Sequence, residues 1–254
     1  MVSNATIISM VVAVLLSFGL FIGFILFYKK RVGISVKPLI IGSIGFIVFT
    51  QVLEKIVHVV VFTNFPNLVE QPILFGLYGG FAAGIFEELG RFILFTWFLK
   101  KYLDYKGGIS FGVGWGGIEA VAIMLMVIVP NIVFALLING GTFESILGSQ
   151  IPADQLTLIK DTVLSQGVGY YVLSIVERFV VIFIQIALTL LVLLGVVRKK
   201  FLYVIYAIVI HAVIDFPAAL YQAGLIKSII VIELYLVVLA GLSIWFIERV
   251  RKVF

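Results

Sequence analysis

The sequence predicts an all-α fold: a polytopic transmembrane helix bundle with about seven spans. The chain has 254 residues, of which 63% are hydrophobic and only 12% are charged, and its mean hydropathy is +1.24. A soluble domain carries about a quarter charged residues, so this chain lacks the polar side chains that would cover a water-facing surface. We therefore expect a multi-pass integral protein of the cell membrane, in contact with lipid, in which residues 1–254 form a single transmembrane domain.

Seven apolar stretches are long enough to cross the hydrocarbon core as helices, which takes about 20 residues each. They cover residues 6–28, 39–62, 72–99, 109–138, 167–196, 202–223 and 227–247. The stretches are too long and unbroken for the alternating strands of a β-barrel. The longest polar connection, residues 139–166, predicts a loop with a short interfacial helix.

The basic residues alternate between the two ends of these stretches. Clusters of Lys and Arg follow the first, third, fifth and seventh stretches, whereas the other connections hold at most one Lys. Cytoplasmic loops collect Lys and Arg, so the alternation predicts an N-terminus outside and a C-terminus inside. The same rule accounts for the net charge of +5, and we expect no nucleic-acid partner.

Charged residues inside the stretches are the main functional signal. A charge at the membrane centre costs about 2.5–3.5 kcal/mol on insertion scales, so such residues face the bundle interior and mark sites. The strongest group is Glu87, Glu88 and Arg91. Glu87 and Arg91 are four residues apart, which suits an ion pair on one helix face, while Glu88 points about 100° away and is expected to lie away from Arg91. Three glycines at four-residue spacing lead up to Glu88 and predict a close helix contact there: Gly76, Gly80 and Gly84.

His211 and Asp215 form a second group, because their spacing lets the carboxylate reach the imidazole and orient it. Pro217 follows and removes a helix hydrogen bond close to this pair. A hydrogen-bonded core histidine is the alternative explanation. The chain contains only one other His, His58, which is expected to pair locally with Glu54, and it has no Cys, which excludes disulfides and thiolate metal sites.

Two further groups have an equal or stronger structural explanation. Glu119 follows a glycine-rich helix face and Trp115 by one turn, and either a tight helix contact or a functional acid fits this pattern. Glu177 and Arg178, with Gln185 about two turns beyond, predict a structural polar ladder.

Depth along the helices points to a common chamber. At 1.5 Å per residue, Glu87, Glu119 and His211 lie about 18, 15 and 14 Å from the estimated cytoplasmic ends. Three separate helices therefore bring two acids and a His to nearly one level, close to the membrane midplane.

A Glu and a His in a dry chamber can together activate water for peptide-bond hydrolysis. Zinc is possible but disfavoured, because a catalytic zinc usually has three protein ligands and only His211 is available as a chamber imidazole. We therefore expect a metal-independent glutamic mechanism with no cofactor. Because Glu88 lies on the glycine face, it is the expected base, and Glu87 is the expected anchor.

These motifs resemble the YhfC family of intramembrane proteases. The resemblance rests on Phe-Glu87-Glu88-x-Gly-Arg91, Gly-x-Gly-x-Gly-Gly-Ile-Glu119, Glu177-Arg178 and His211-x-x-x-Asp215, whose order and spacing match over nearly the whole chain. The sequence is more remotely similar to the CAAX protease and bacteriocin-processing superfamily. The resemblance implies water activation by Glu87 or Glu88 with His211, and it leans toward the first Glu. It also implies a structural or substrate role for Arg91, an Asp215 partner for His211, and a transmembrane or membrane-associated peptide substrate.

Two positions depart from that pattern. The superfamily's Phe-x-x-x-His aligns with residues 111–115, where Trp115 replaces the expected His, and Gln185 stands where relatives carry a His. These departures leave two alternatives: a proteolytically inactive relative that acts as a binding or immunity protein, or a transporter. Glu119, one turn from Trp115, could compensate as a carboxylate.

Overall fold

The computed structural model describes residues 1–254 and confirms the all-α prediction, since it contains helices and no strand. The α-helices are α1 (Asn4–Arg31), α2 (Val36–Phe46), α3 (Lys55–Asn64), α4 (Pro72–Trp97), α5 (Tyr105–Asn139), α6 (Phe143–Leu147), α7 (Ala153–Ser165), α8 (Val168–Arg198), α9 (Leu202–Gln222) and α10 (Ile229–Val250). Seven helical segments are long and apolar enough to cross a membrane. Large apolar side chains such as Leu15, Val59 and Val238 are exposed on them, as expected of surfaces that face lipid. The orientation of the termini stays a prediction.

The second span, Val36–Asn64, combines α2 and α3 with a π-helix over Ile47–Glu54 between them. π-Helical segments are rare and are frequently found at functional sites. Near its start, the Thr50 hydroxyl donates to the carbonyl of Phe46 (2.8 Å). Gly90 on α4 contacts this segment closely, because a Cβ there would lie 2.7 Å from Cγ of Phe49.

The other spans are predicted to within a few residues, and most extend slightly further than the apolar stretches. The connection over residues 139–166 holds two short helices, α6 and α7, instead of the one expected. Glu144 on α6 and Lys160 on α7 form an ion pair. The hydrogen bond that the Lys160 ammonium donates to Glu144 lowers the pKa of this exposed carboxyl.

The chain divides into two compact units, Met1–Ile22 with Ala120–Phe179, and Gly23–Glu119 with Val180–Phe254. The first unit has its own apolar core around Met10, Met124 and Tyr171. Its N-terminus is held by Asn139, whose side chain accepts from the amide of Val2 (2.7 Å) and donates to its carbonyl (2.8 Å). The single-domain organisation of residues 1–254 stays a prediction.

In the second unit, α4 packs closely along α9 through its glycine face. A Cβ on Gly80 would lie 2.6 Å from the carbonyl oxygen of Ala212, and one on Gly84 would lie 2.7 Å from that of Ile208. These positions therefore require glycine for the two backbones to approach, and the predicted helix contact is confirmed. Glycine likewise lets α5 pack on α8, because a Cβ on Gly116 would lie 2.9 Å from Cβ of Gln185.

Pro217 lies inside α9, as the sequence predicts. Since proline has no N–H, the carbonyl of Val213 four residues earlier loses its helical donor. The hydroxyl of Tyr235 on α10 donates to that carbonyl instead (2.9 Å). The hydrogen bond that α9 loses at Pro217 is therefore replaced by one from α10, close to the His211–Asp215 pair.

Candidate functional site

The buried carboxylates of α4 meet the imidazole of α9 where the two helices are closest. Glu88 Oε1 lies 2.6 Å from His211 Nδ1, and Glu87 Oε1 lies 3.9 Å from His211 Nε2. All three residues are buried, and the Glu88 side chain has no exposed surface. Gly84, one turn before Glu88, makes this meeting possible, because its missing side chain lets α9 approach.

Arg91 binds both glutamates. Its Nη2 donates to Glu87 Oε2 (2.8 Å), and its Nη1 forms an ion pair with Glu88 Oε1. The expectation that Glu88 lies away from Arg91 is therefore wrong. Residues three and four apart are both neighbours on a helix surface, and the planar guanidinium carries donors enough to reach both carboxylates.

Trp115 on α5 also contacts Glu87. Its indole Nε1–H donates to Glu87 Oε2 at 2.8 Å, and Cζ of Arg91 lies 4.7 Å from the indole ring centroid. Gln185 on α8 completes this side of the site, because its Oε1 accepts from Arg91 Nη2. The sequence marks both residues as departures from a motif and places Gln185 in a polar ladder with Arg178, but it does not predict that they jointly hold the Glu–Arg group.

Asp215 lies beside His211, as its spacing predicts, with Oδ2 3.4 Å from Nε2 of the ring. Its side chain is 41% exposed, whereas those of Glu87, Glu88, Arg91 and His211 are at most 8% exposed. The partner of His211 Nδ1 is Glu88, which the sequence did not reveal. Asp215 therefore marks the side on which the cluster reaches the surface.

The remaining candidate residues are placed as follows. Glu119 is buried on α5, one turn beyond Trp115, and its part in the chemistry stays a prediction. Arg178 and Glu177 are neighbours on α8 and form an ion pair, in line with a structural role.

The second histidine forms a separate cluster. His58 Nε2 lies 3.1 Å from Glu54 Oε1, which confirms the predicted local pair, and His58 Nδ1 lies 2.6 Å from the hydroxyl of Tyr78 on α4. Tyr78 was not predicted, since its contact with His58 depends on how α3 packs against α4.

The charges of the main cluster define its chemistry. Arg91 faces two carboxylates, and both nitrogens of His211 face carboxylate oxygens. A neutral imidazole donates from one nitrogen, whereas an imidazolium donates from both. In the cluster, a carboxylate oxygen, Glu87 Oε1, faces an imidazole nitrogen, His211 Nε2, at a distance of 3.9 Å. A water can bridge a separation of this length.

Fold and site together define a polytopic membrane protein with a buried carboxylate–imidazole cluster. The chain belongs to the YhfC family, because residues 12–236 match the family described as YhfC intramembrane metalloprotease. It is 35% identical over 257 residues to the uncharacterized membrane protein YhfC of Bacillus subtilis (strain 168), and the match covers 100% of both chains. No solved structure matches this chain. The family description supports an intramembrane protease, and the more distant similarity to the CAAX protease superfamily stays a prediction.

The family description names a metalloprotease, so it implies a metal ion and does not support the metal-independent mechanism that the sequence predicts. No group of three or more His, Cys, Asp or Glu side chains is arranged to hold a metal. Glu87 Oε2 accepts from Arg91 and Trp115, and Glu88 Oε1 is taken by Arg91 and His211. An indole N–H donates only and cannot ligate a cation. In this arrangement the residues do not fit a zinc site with three protein ligands.

Proposed function

We propose that this chain is an intramembrane endopeptidase of the glutamic type, in which Glu87 and His211 activate water. The observation that carries the proposal is the meeting of Glu87, Glu88 and His211 from α4 and α9 in one buried cluster. Such charges are costly inside a membrane and persist where they perform a function. Membership in a family described as intramembrane metalloproteases supports the same reaction class.

Glu87 is the better candidate for the base. Its Oε2 is held by Arg91 and Trp115, which leaves Oε1 turned toward His211 Nε2 at 3.9 Å. A water between these two atoms is within hydrogen-bond reach of both, as a general base requires. This assignment reverses the preference for Glu88 that the sequence suggested, and it agrees with the family resemblance.

Glu88 then acts as a positioning residue for His211. The carboxylate of Glu88 fixes Nδ1 of the ring at 2.6 Å, which directs Nε2 toward the substrate, much as a buried acid orients the histidine of a catalytic triad. Asp215 lies on the other side, 3.4 Å from Nε2. Arg91 has no exposed surface and binds the two glutamates and Gln185, so it anchors the site instead of contacting substrate.

The reaction follows from these positions. Water attacks the scissile carbonyl carbon while its proton passes to Glu87 Oε1, which gives a tetrahedral intermediate. His211 Nε2–H donates a proton to the leaving amide nitrogen, the C–N bond breaks, and a carboxylic acid and an amine are released. Glu87 returns its proton to His211, which restores both groups.

The substrate class follows from access. Asp215 is the one markedly exposed member of the cluster, so the scissile segment reaches the site from the side of α9 that carries it. Asp215 lies on a helix that is long and apolar enough to span a membrane. A transmembrane or membrane-associated peptide, unfolded locally at the cleaved bond, can approach such a helix within the bilayer.

Metal independence is part of the proposal. Arg91 and the indole of Trp115 occupy Glu87 Oε2, and a guanidinium this close opposes a second cation by charge repulsion. The positive groups that balance the buried carboxylates are thus provided by the chain itself.

Cleavage by Glu87→Gln, Glu88→Gln and His211→Gln tests the proposal. The purified protein in liposomes is incubated with synthetic single-span peptides, and new termini are identified by mass spectrometry. We expect Glu87→Gln to abolish cleavage while the folded state persists in thermal melts, and Glu88→Gln to retain a fraction of it. Full activity of Glu87→Gln would remove it as the base. Absence of cleavage by the wild type across the panel would favour the inactive, peptide-binding alternative.

A further inference from the structure

We propose that Trp115 is a positioning residue for Glu87: its indole N–H holds Oε2, so that Oε1 stays directed at His211. The inference rests on the proposed function, because it assigns Glu87 the role of base. It concerns the residue at which this chain departs from the His of the superfamily pattern.

The indole has one available position. Trp115 has no exposed surface, it stacks on Phe111 with ring centroids 5.6 Å apart, and it meets Phe46 edge-on at 6.0 Å. Gly45 makes room for the ring, because a Cβ there would lie 2.9 Å from it. The packing therefore aims Nε1–H at Glu87 Oε2, where it donates at 2.8 Å.

Two donors hold Glu87 Oε2. Arg91 Nη2 contacts both Glu87 Oε2 and Gln185 Oε1, and its two N–H groups provide one donor for each acceptor. The last torsion of a Glu side chain is broad and has no strongly preferred value. Hydrogen bonds to Oε2 consequently decide where Oε1 points, and the indole provides one of the two.

The chemistry of the side chain gives a matched series of variants. Phe keeps an aromatic ring but has no donor, whereas His restores an N–H in a smaller ring. Trp115→Phe should lower kcat roughly tenfold to a hundredfold with KM within about twofold, because small displacements of a reacting group act on the chemical step. Trp115→His should recover most of that loss. Trp245 on α10 is 62% exposed, so Trp245→Phe serves as the control and should cleave like the wild type.

A measurement without substrate tests the contact itself. The chain has three Trp, so 15N-indole labelling gives three N–H resonances, which single Trp→Phe variants assign. Glu87→Gln removes the charged acceptor and should shift the Trp115 resonance while those of Trp97 and Trp245 stay in place. An unmoved Trp115 resonance would overturn the inference, whether or not the protein cleaves anything.

The kinetic outcomes separate this inference from the proposed function. If Glu87→Gln is inactive and folded while Trp115→Phe keeps the wild-type kcat, the glutamic mechanism stands and the positioning role is refuted. If Trp115→Phe and Trp115→His lose kcat equally, the donor does not matter, and the role is refuted as well. Loss in Trp115→Phe with recovery in Trp115→His supports it.

Discussion

Gly84→Ala should separate the imidazole from the carboxylate that holds it. The added Cβ would lie 2.7 Å from the carbonyl oxygen of Ile208 and 3.4 Å from Cβ of His211. The nearer atom is backbone and cannot rotate away. Ordinary contact begins at 3.4 Å, so α9 has to move by about 0.7 Å, a strain of the kind that overpacked helix contacts produce.

That displacement acts directly on the His211–Glu88 bond. The bond is 2.6 Å long, and moving α9 away stretches it beyond the normal range of 2.7–3.2 Å. We expect kcat for cleavage of single-span peptides to fall about tenfold to a hundredfold, since errors of about 1 Å in position have effects of this size. Unfolding should become easier by about 1–3 kcal/mol, the usual cost of overpacking.

Gly79→Ala is the matched control on the same helix. A Cβ there would lie 3.8 Å from Cβ of Ala219, which is ordinary contact. Its stability should be unchanged or improved by up to about 1 kcal/mol, because Ala favours helices over Gly. Wild-type melting and kcat in Gly84→Ala would refute the reasoning, since they would mean that α9 does not depend on the missing side chain. Equal losses in both variants would assign the effect to α4 itself instead of the contact with α9.

Two further predictions concern the metal and the topology. The purified protein should contain well below one zinc per chain by elemental analysis, because Arg91 and Trp115 already bind Glu87 Oε2, and Arg91 and His211 bind Glu88 Oε1; a full equivalent of zinc that disappears in His211→Ala would contradict this. Since the chain has no Cys, single Cys residues report orientation cleanly: Ser149→Cys should react with a membrane-impermeant reagent applied outside, and Lys199→Cys should not. Reversed labelling would invert the topology.

The spans and the helix contacts were predictable because they depend on local patterns. Apolar length alone located all seven spans, and glycines at four-residue spacing correctly placed another helix, α9, against α4. The His211–Asp215 proximity likewise followed from one helical turn. Each of these features needs only the geometry of a single helix and the cost of burying polar groups.

The contacts that complete the site were not predictable in this way. The indole of Trp115 reaches Glu87 through the packing of α5, and Gln185 reaches Arg91 from α8. Neither contact leaves a spacing pattern in the sequence, because residues from three helices take part. The π-helix over Ile47–Glu54 has no signal in that apolar stretch either, and its packing against Gly90 is a tertiary effect.

Whether water and substrate can reach a glutamate decides between Glu87 and Glu88 as the base better than its position on the helical wheel does. On a helical wheel Glu88 is the acid on the glycine face, and desolvation there favours it as the base. Packing against α9 has a second consequence, which is that Glu88 loses all exposure and shares Oε1 with Arg91 and His211, while its buried Oε2 has no hydrogen-bond partner. Glu87 keeps a side chain that is 8% exposed, with Oε1 facing the ring nitrogen next to the exposed Asp215. A general base has to contact a water molecule and the substrate. Glu88 is completely buried, which suits it to orient His211 but keeps water and substrate away from it. We therefore assign proton transfer to Glu87.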